Sequence, residues 1–260
     1  MTDDFGLYKE IFKNFGAGIK YGIYSTYGSA KDTLQDLLIF YSAEKKDYIT
    51  LKEYVQNMKE NQKEIYYACG ENNEKIDNLP QVESVKKKKY DILYLTEYVD
   101  EFTMQALREF AEKPFKNVSD SDVDLTTEKE KKELEKLNAD NKDLLNTMKE
   151  TLPEVGKVEF TGKLTNHPVC LTTKGNISIE MEKVINAMPE GEKIHAETIL
   201  EVNKDHEIAK KLKELYKENQ KEELAKYTKV LYAQARLIEG LPIESPTEIS
   251  NLVVDIMSKK

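Results

Sequence analysis

Ile65-Tyr66-Tyr67-Ala68-Cys69-Gly70-Glu71, then Tyr90-Asp91-Ile92-Leu93-Tyr94-Leu95-Thr96-Glu97, then Val99-Asp100-Glu101-Phe102, then Lys113-Pro114-Phe115-Lys116-Asn117-Val118-Ser119: the fold turns on these four pieces. Each apolar burst reads as a buried strand. Asp100 and Glu101 open a helix over 99–111, because carboxylates favour the positive end of the helix dipole. Lys113-Pro114-Phe115 ends it, since proline cannot continue a helix. The stretch 74–88 reads as helical. A strand, a crossover of this length and a second strand predict a parallel pair at 64–69 and 91–95 within a small αβα layer.

Working outward, Tyr8, Ile11, Phe12 and Phe15 share one helical face, and Leu34, Leu37, Leu38 and Tyr41 another. Gly16 to Gly28, rich in Gly and Tyr, reads as a connector between them, giving a helical coil over 1–48. Thr50 caps a helix carrying Leu51, Tyr54, Val55 and Met58, with Glu53 at capping-box spacing. Asp120 to Thr127 is polar and aperiodic, which places a domain boundary there: 1–122 (coil 1–48, αβα unit 49–122) and 123–260. Downstream, Leu134, Leu137, Leu144, Leu145, Met148 and Leu152 mark one long helix over 128–152, stopped by Pro153. Strands follow at 157–164, 169–173 and 194–202, with a short helix at 177–188 between the last two. Three helices close the chain at about 205–218, 220–239 and 246–258. The class is α/β followed by α+β, ending in a helical hairpin.

Composition narrows the function. With 260 residues the chain is long enough for two domains, and 33% of it is charged. The formal net charge of −9 argues against nucleic acid as a partner. Lys86 to Lys89 reads as a solvated helix end. No apolar run reaches the ~20 residues that span a bilayer, and no signal peptide opens the sequence. Cys69 and Cys170, each in an apolar run, read as two reduced, buried thiols. The location is therefore expected to be cytoplasmic.

Chemical motifs give little. Gly16-Ala17-Gly18-Ile19-Lys20-Tyr21-Gly22 has its last glycine one position late for a dinucleotide loop and follows a helix rather than a strand. His167, His195 and His206 are isolated, so no metal site is expected. Asp100 and Glu101 diverge by about 100° on a helix, which does not pair them for acid–base work. No nucleophile elbow is present.

Apolar constellations are stronger. Ile249, Leu252, Val253, Ile256 and Met257 follow helical spacing, as do Leu224, Tyr227, Leu231, Ala235 and Ile238. These two helices can pack as a hairpin through Gly240-Leu241-Pro242, but a hairpin cannot cover two wide apolar faces by itself. A four-helix bundle across a two-fold axis is the physical reading, with Leu231, Ala235, Ile238, Ile249, Leu252, Val253, Ile256 and Met257 at the interface. Docking of both helices on the domain's own sheet is the alternative. In the helix at 177–188, Ile177, Ile179, Met181, Val184, Ile185 and Met188 occupy more than one face, between Gly175 and Pro189-Glu190-Gly191. They suit either an adaptable binding surface, where Met recurs, or a core.

The order of the four opening pieces resembles the ninety-kilodalton heat-shock protein family of ATP-driven dimeric chaperones, its bacterial form most closely. Lys163-Leu164-Thr165-Asn166-His167-Pro168-Val169-Cys170-Leu171-Thr172-Thr173 looks like that family's first C-terminal hairpin. Leu200-Glu201-Val202-Asn203-Lys204-Asp205-His206 looks like its next strand-to-helix step, with Lys204 where the family commonly has proline. Leu231-Tyr232-Ala233-Gln234-Ala235-Arg236-Leu237 looks like its dimer helix. The resemblance implies the C-terminal part of the middle domain plus the C-terminal dimerisation domain. It implies client-binding residues Glu101, Phe102 and Gln105, where the family has tryptophan in place of Phe102. It adds Ile177, Met181, Val184 and Ile185 on the short helix. It implies that the Mg-ATP site lies in an N-terminal domain absent from this chain, so the chain itself is expected to be no enzyme and to hold no cofactor. The partners implied are a second copy, non-native proteins in folding and stress response, and co-chaperones. A dimeric adaptor for one folded partner is the alternative function.

Overall fold

The computed structural model describes residues 4–189 and 193–258. Glu190 and Gly191, read above as flanking the short helix, lie outside the described residues. Two compact units are present. The first takes the chain up to Asn78, with Val85–Val118 and Glu180–Ile194; the second takes Leu79–Ser84, Ser119–Ile179 and the chain from His195 onward.

The first unit opens with α1 (Phe5–Ser25), capped by Asp4, and α2 (Lys31–Leu34). The hairpin β1 (Ile39–Ser42) and β2 (Asp47–Thr50) follows, then α3 (Leu51–Asn57), β3 (Ile65–Cys69) and α4 (Asn73–Asp77). Next come α5 (Val82–Lys87), which changes unit at Val85, β4 (Leu93–Leu95), α6 (Asp100–Leu107), β5 (Glu109–Phe110) and β6 (Lys113–Asn117). The sheet order is β2-β1-β4-β3-β6-β5, with β3 parallel to both β4 and β6. Both neighbours of β3 are reached by helical crossovers, so its run Ile65–Ala68 is buried throughout.

Two expectations are corrected here. α1 runs straight through the supposed connector Gly16–Gly28. Glycine weakens a helix by about 1 kcal/mol, but tertiary packing overrides that cost. A Cβ on Gly16 would stand 2.7 Å from the Phe12 ring, so only glycine lets that ring lie flat on the helix. Lys20 is buried and ion-paired with Asp100 on α6 at 2.6 Å. The supposed helix through Leu34 and Tyr41 is instead a 3-10 turn, Gln35–Leu37, leading into β1. Ile39, Phe40 and Tyr41 are β-branched or aromatic and pair with Thr50, Ile49 and Tyr48. The coil over 1–48 is thus partly sheet. Under it, Tyr54 is fully buried; its hydroxyl donates to the Asp91 carbonyl and accepts from the Tyr66 amide.

The second unit contains α7 (Glu128–Asp140), α8 (Lys142–Thr151), β7 (Lys157–Thr161), β8 (Val169–Lys174), the first residue of α9 (Ile179–Ala187), β9 (Glu197–Asn203), α10 (Glu207–Lys217), α11 (Lys221–Ile238) and α12 (Pro246–Ser258). The single helix expected over 128–152 breaks at Asn141. The break lets the Asn138 amide pair with both backbone groups of Phe160 on edge strand β7. β7 and β8 are not partners in a hairpin either: β9 lies between them, parallel to β7 and antiparallel to β8. Glu201 on β9 is fully buried and is met by the Lys163 ammonium and the Thr172 hydroxyl. From the excursion Leu79–Ser84, Gln81 donates to Leu171 and Glu239, and the Glu83 carboxylate accepts from the Thr165 amide and faces His167 Nδ1 at 2.8 Å.

Candidate functional site

The first candidate surface is built on α6, which leaves β4 through Thr96–Val99. Val99 offers no capping side chain. Asp100 folds back instead, accepting from the Glu97 amide at 2.9 Å, and Lys20 meets it from α1. The Lys20 ammonium also reaches Glu97 at 3.1 Å and stands over the Phe12 and Phe40 rings. Burial raises the Asp100 pKa above its usual range, although Lys20 opposes that. The role expected for Asp100, dipole stabilisation alone, is therefore too small. Lys20 was not singled out in the sequence, because a lone cation in a Gly/Tyr-rich stretch carries no signal of burial.

Among the expected contact residues, Phe102 is half-buried, with its ring centroid 5.4 Å from that of Tyr24 on α1. Gln105 is exposed and its amide meets the Met181 sulfur at 2.9 Å. Val184 and Ile185 are half-buried. Two of the residues that the resemblance implies for client contact are buried. Glu101 is buried and accepts from the Asn117 amide at 2.7 Å, because its position on α6 turns it toward β6. Met181 is only 6% exposed, since α9 from Glu180 on packs within the first unit. Ile177 precedes α9, belongs to the second unit and is half-buried. A cavity of about 130 Å³ remains beside α9, lined by residues of β3 and α6, of the segment after β4, and of α9 itself. Burial, then the carboxylates of Glu101, Asp100 and Glu180, pushes the Cys69 thiol pKa up.

The second candidate surface is the end of the chain. α11 packs against β8, α8, α10 and α12. Leu231 and Ala235 therefore sit in the unit's own core, with Leu224 and Leu171. Ile238 is half-buried. α12 differs: none of its residues is buried. Ile249, Leu252, Val253 and Ile256 are half-covered, while Val254 and Met257 are 61% and 78% exposed. Ion pairs Lys229–Glu248 at 2.8 Å and Lys226–Asp255 at 3.2 Å tie α12 to α11.

Among the described residues, no group of three His, Cys, Asp or Glu is placed to hold a metal ion, and no helix is long and apolar enough to cross a membrane. His206 caps α10 by accepting from the Ile208 amide at 3.1 Å.

The family model described as Hsp90 protein matches residues 1–260, and the chain belongs to that family. It is 49% identical over 251 residues to the chaperone protein HtpG of Clostridium acetobutylicum, covering 96% of this chain and 40% of that protein. It is 46% identical over 258 residues to the HtpG chaperones of Clostridium perfringens and Alkaliphilus oremlandii, covering 99% of this chain and 41% of each. The chain thus spans about two fifths of the length of these curated relatives. These matches overturn the expectation that the chain is no enzyme: it aligns along nearly all its length with chaperones of a family whose resemblance implies ATP-driven action, and that reading is withdrawn.

Proposed function

We propose that this chain is the client-holding and dimerising portion of an Hsp90-family chaperone that binds non-native proteins in the cytoplasm during folding and stress. Residues 1–122 act as the end of a middle domain and 123–260 as the dimerisation domain. One observation carries the reading: α12 follows amphipathic spacing along its length yet buries none of its side chains within its own unit. An apolar stripe of this kind favours a second copy related by a two-fold, since each α12 then covers the other. Dimerisation presents two copies of the α6 surface, and two contacts on one extended chain raise the effective concentration of the second.

Client contact falls on the side chains that stay accessible: Phe102, Gln105, Val184 and Ile185. Adaptable apolar groups suit a partner without fixed sequence. Co-chaperones would join as further partners. The test is competition. A labelled, permanently unfolded protein is titrated with the chain and challenged with unlabelled unfolded or folded protein. Unfolded competitor displaces the label and folded competitor does not. Displacement by one particular folded protein, with none by unfolded chains, would establish the adaptor function instead.

A further inference from the structure

The cavity beside α9 lies at a special place in the first unit's sheet. The chain crosses from β3 to β4 on one side of β3, then from β4 to β6 on the other. In open sheets of this kind ligands bind outside the carboxyl ends of the strands, and the cavity opens at those of β3 and β4. The cavity is lined there by Cys69 and Glu71 after β3 and by Glu97 and Tyr98 after β4, with Phe102 opposite and Glu180 closing it from α9.

The lining itself is acidic and aromatic. Four carboxylates line it, those of Glu71, Glu97, Glu101 and Glu180, and no Lys, Arg or His is among the described lining residues. Lysines that pair with three of them, Lys75, Lys20 and Lys183, stand outside the lining. Two aromatic rings, Tyr98 and Phe102, form part of the wall, and Tyr24 backs Phe102. Carboxylates with aromatic faces attract an organic cation. The described residues hold no trio arranged for a metal ion. At about 130 Å³ the space is below the ~300 Å³ of a drug-sized pocket and equals roughly four waters at about 30 Å³ each, the scale of one side chain.

We propose that this cavity receives a single arginine or lysine side chain of a bound extended polypeptide, so that the surface selects clients bearing a basic residue next to apolar ones. The inference rests on the client-holding reading and names its substrate class. Phe102 and Tyr98 take the aliphatic stem and the face of the cation, and Glu71 and Glu180 take its charge. The carboxylates of Glu101 and Glu180, which add to the burial that pushes the Cys69 thiol pKa up, attract the incoming cation.

The test uses two labelled extended peptides with the same apolar sequence, one with a central arginine and one with citrulline, its neutral isostere. Fluorescence anisotropy with the chain should give about tenfold tighter binding for the arginine peptide at low salt. That preference should shrink as salt rises. Glu71→Gln with Glu180→Gln should abolish the difference between the peptides; the Glu71 side chain is largely exposed and that of Glu180 lies at the unit's surface, so folding tolerates both changes. Equal binding of the two peptides overturns the proposal and leaves the client reading standing. A preference that persists in the double variant also overturns it. If neither peptide binds, the client reading fails and the proposal with it.

Discussion

Introducing Leu252→Asp and Ile256→Asp on α12 should convert a dimer into a folded monomer. Ile249, Leu252, Val253 and Ile256 are half-covered in the single chain, and Val254 and Met257 are largely exposed. Full burial of such a side chain contributes about 1.5–3 kcal/mol. Completing the burial of these six contributes roughly 5–10 kcal/mol per subunit, doubled across a two-fold. Association costs about 4–15 kcal/mol, so a dimer is favoured by several kcal/mol. Two aspartates per helix place four unpaired charges in the contact, each costing several kcal/mol when buried, which exceeds that margin. Neither position contributes to the unit's core, so the monomer should keep its helicity. Sedimentation equilibrium with circular dichroism reads both quantities. The wild-type chain should weigh twice its 30.0 kDa and the variant once. A variant dimer of unchanged affinity, or a monomeric wild type, would show that α12 is not the dimer seam.

Lys20→Ala leaves Asp100 buried without its cation. Breaking such a pair costs about 3–5 kcal/mol, so scanning calorimetry should show Tm falling by roughly 6–20 °C, partly restored by adding Asp100→Asn; a loss under about 1 kcal/mol would contradict the role given to the pair. Asp77 is expected to shape the acid limb of stability. Burial alone would raise its pKa, but the Tyr94 hydroxyl and Lys86 ammonium outweigh burial and hold it below its ordinary 3.8. Its contribution is therefore complete above that ordinary value and lost as pH falls through the lower, folded one. Asp77→Asn should lower Tm at pH 7 and progressively less as pH drops below about 3.8; a deficit that stays constant with pH would rule this out.

How far the residues announce all this depends on what stabilises each element. β3 and β4 are buried on both faces, so Ile65–Ala68 and Ile92–Leu95 read as apolar runs whatever surrounds them. The parallel pairing follows from the crossover length. α1 is different, because its glycine-rich half is helical only through contacts made far along the chain: Gly16 against a ring, Lys20 against Asp100. Local propensity contains no trace of that pair. Leu34, Leu37, Leu38 and Tyr41 satisfy a 3.6-residue period, yet Leu38–Phe40 are consecutively buried, which only the hairpin explains. The apolar faces of α11 and α12 are equally visible in the sequence. What covers them is not, and for Leu231 and Ala235 the cover is the unit's own core. At α6 the contact residues came from the family resemblance and not from spacing; Glu101 turns inward to Asn117 and Met181 is covered, because neighbours from β6 and α9 decide which side chains stay accessible.

The most direct measurement follows a labelled, permanently unfolded protein by fluorescence-detected sedimentation as this chain is added. The label should shift, saturably, to a species carrying two copies of the chain and one unfolded protein, and Phe102→Ser should weaken that shift. A label that sediments alone at every concentration, or with a single copy, would contradict a dimeric client holder.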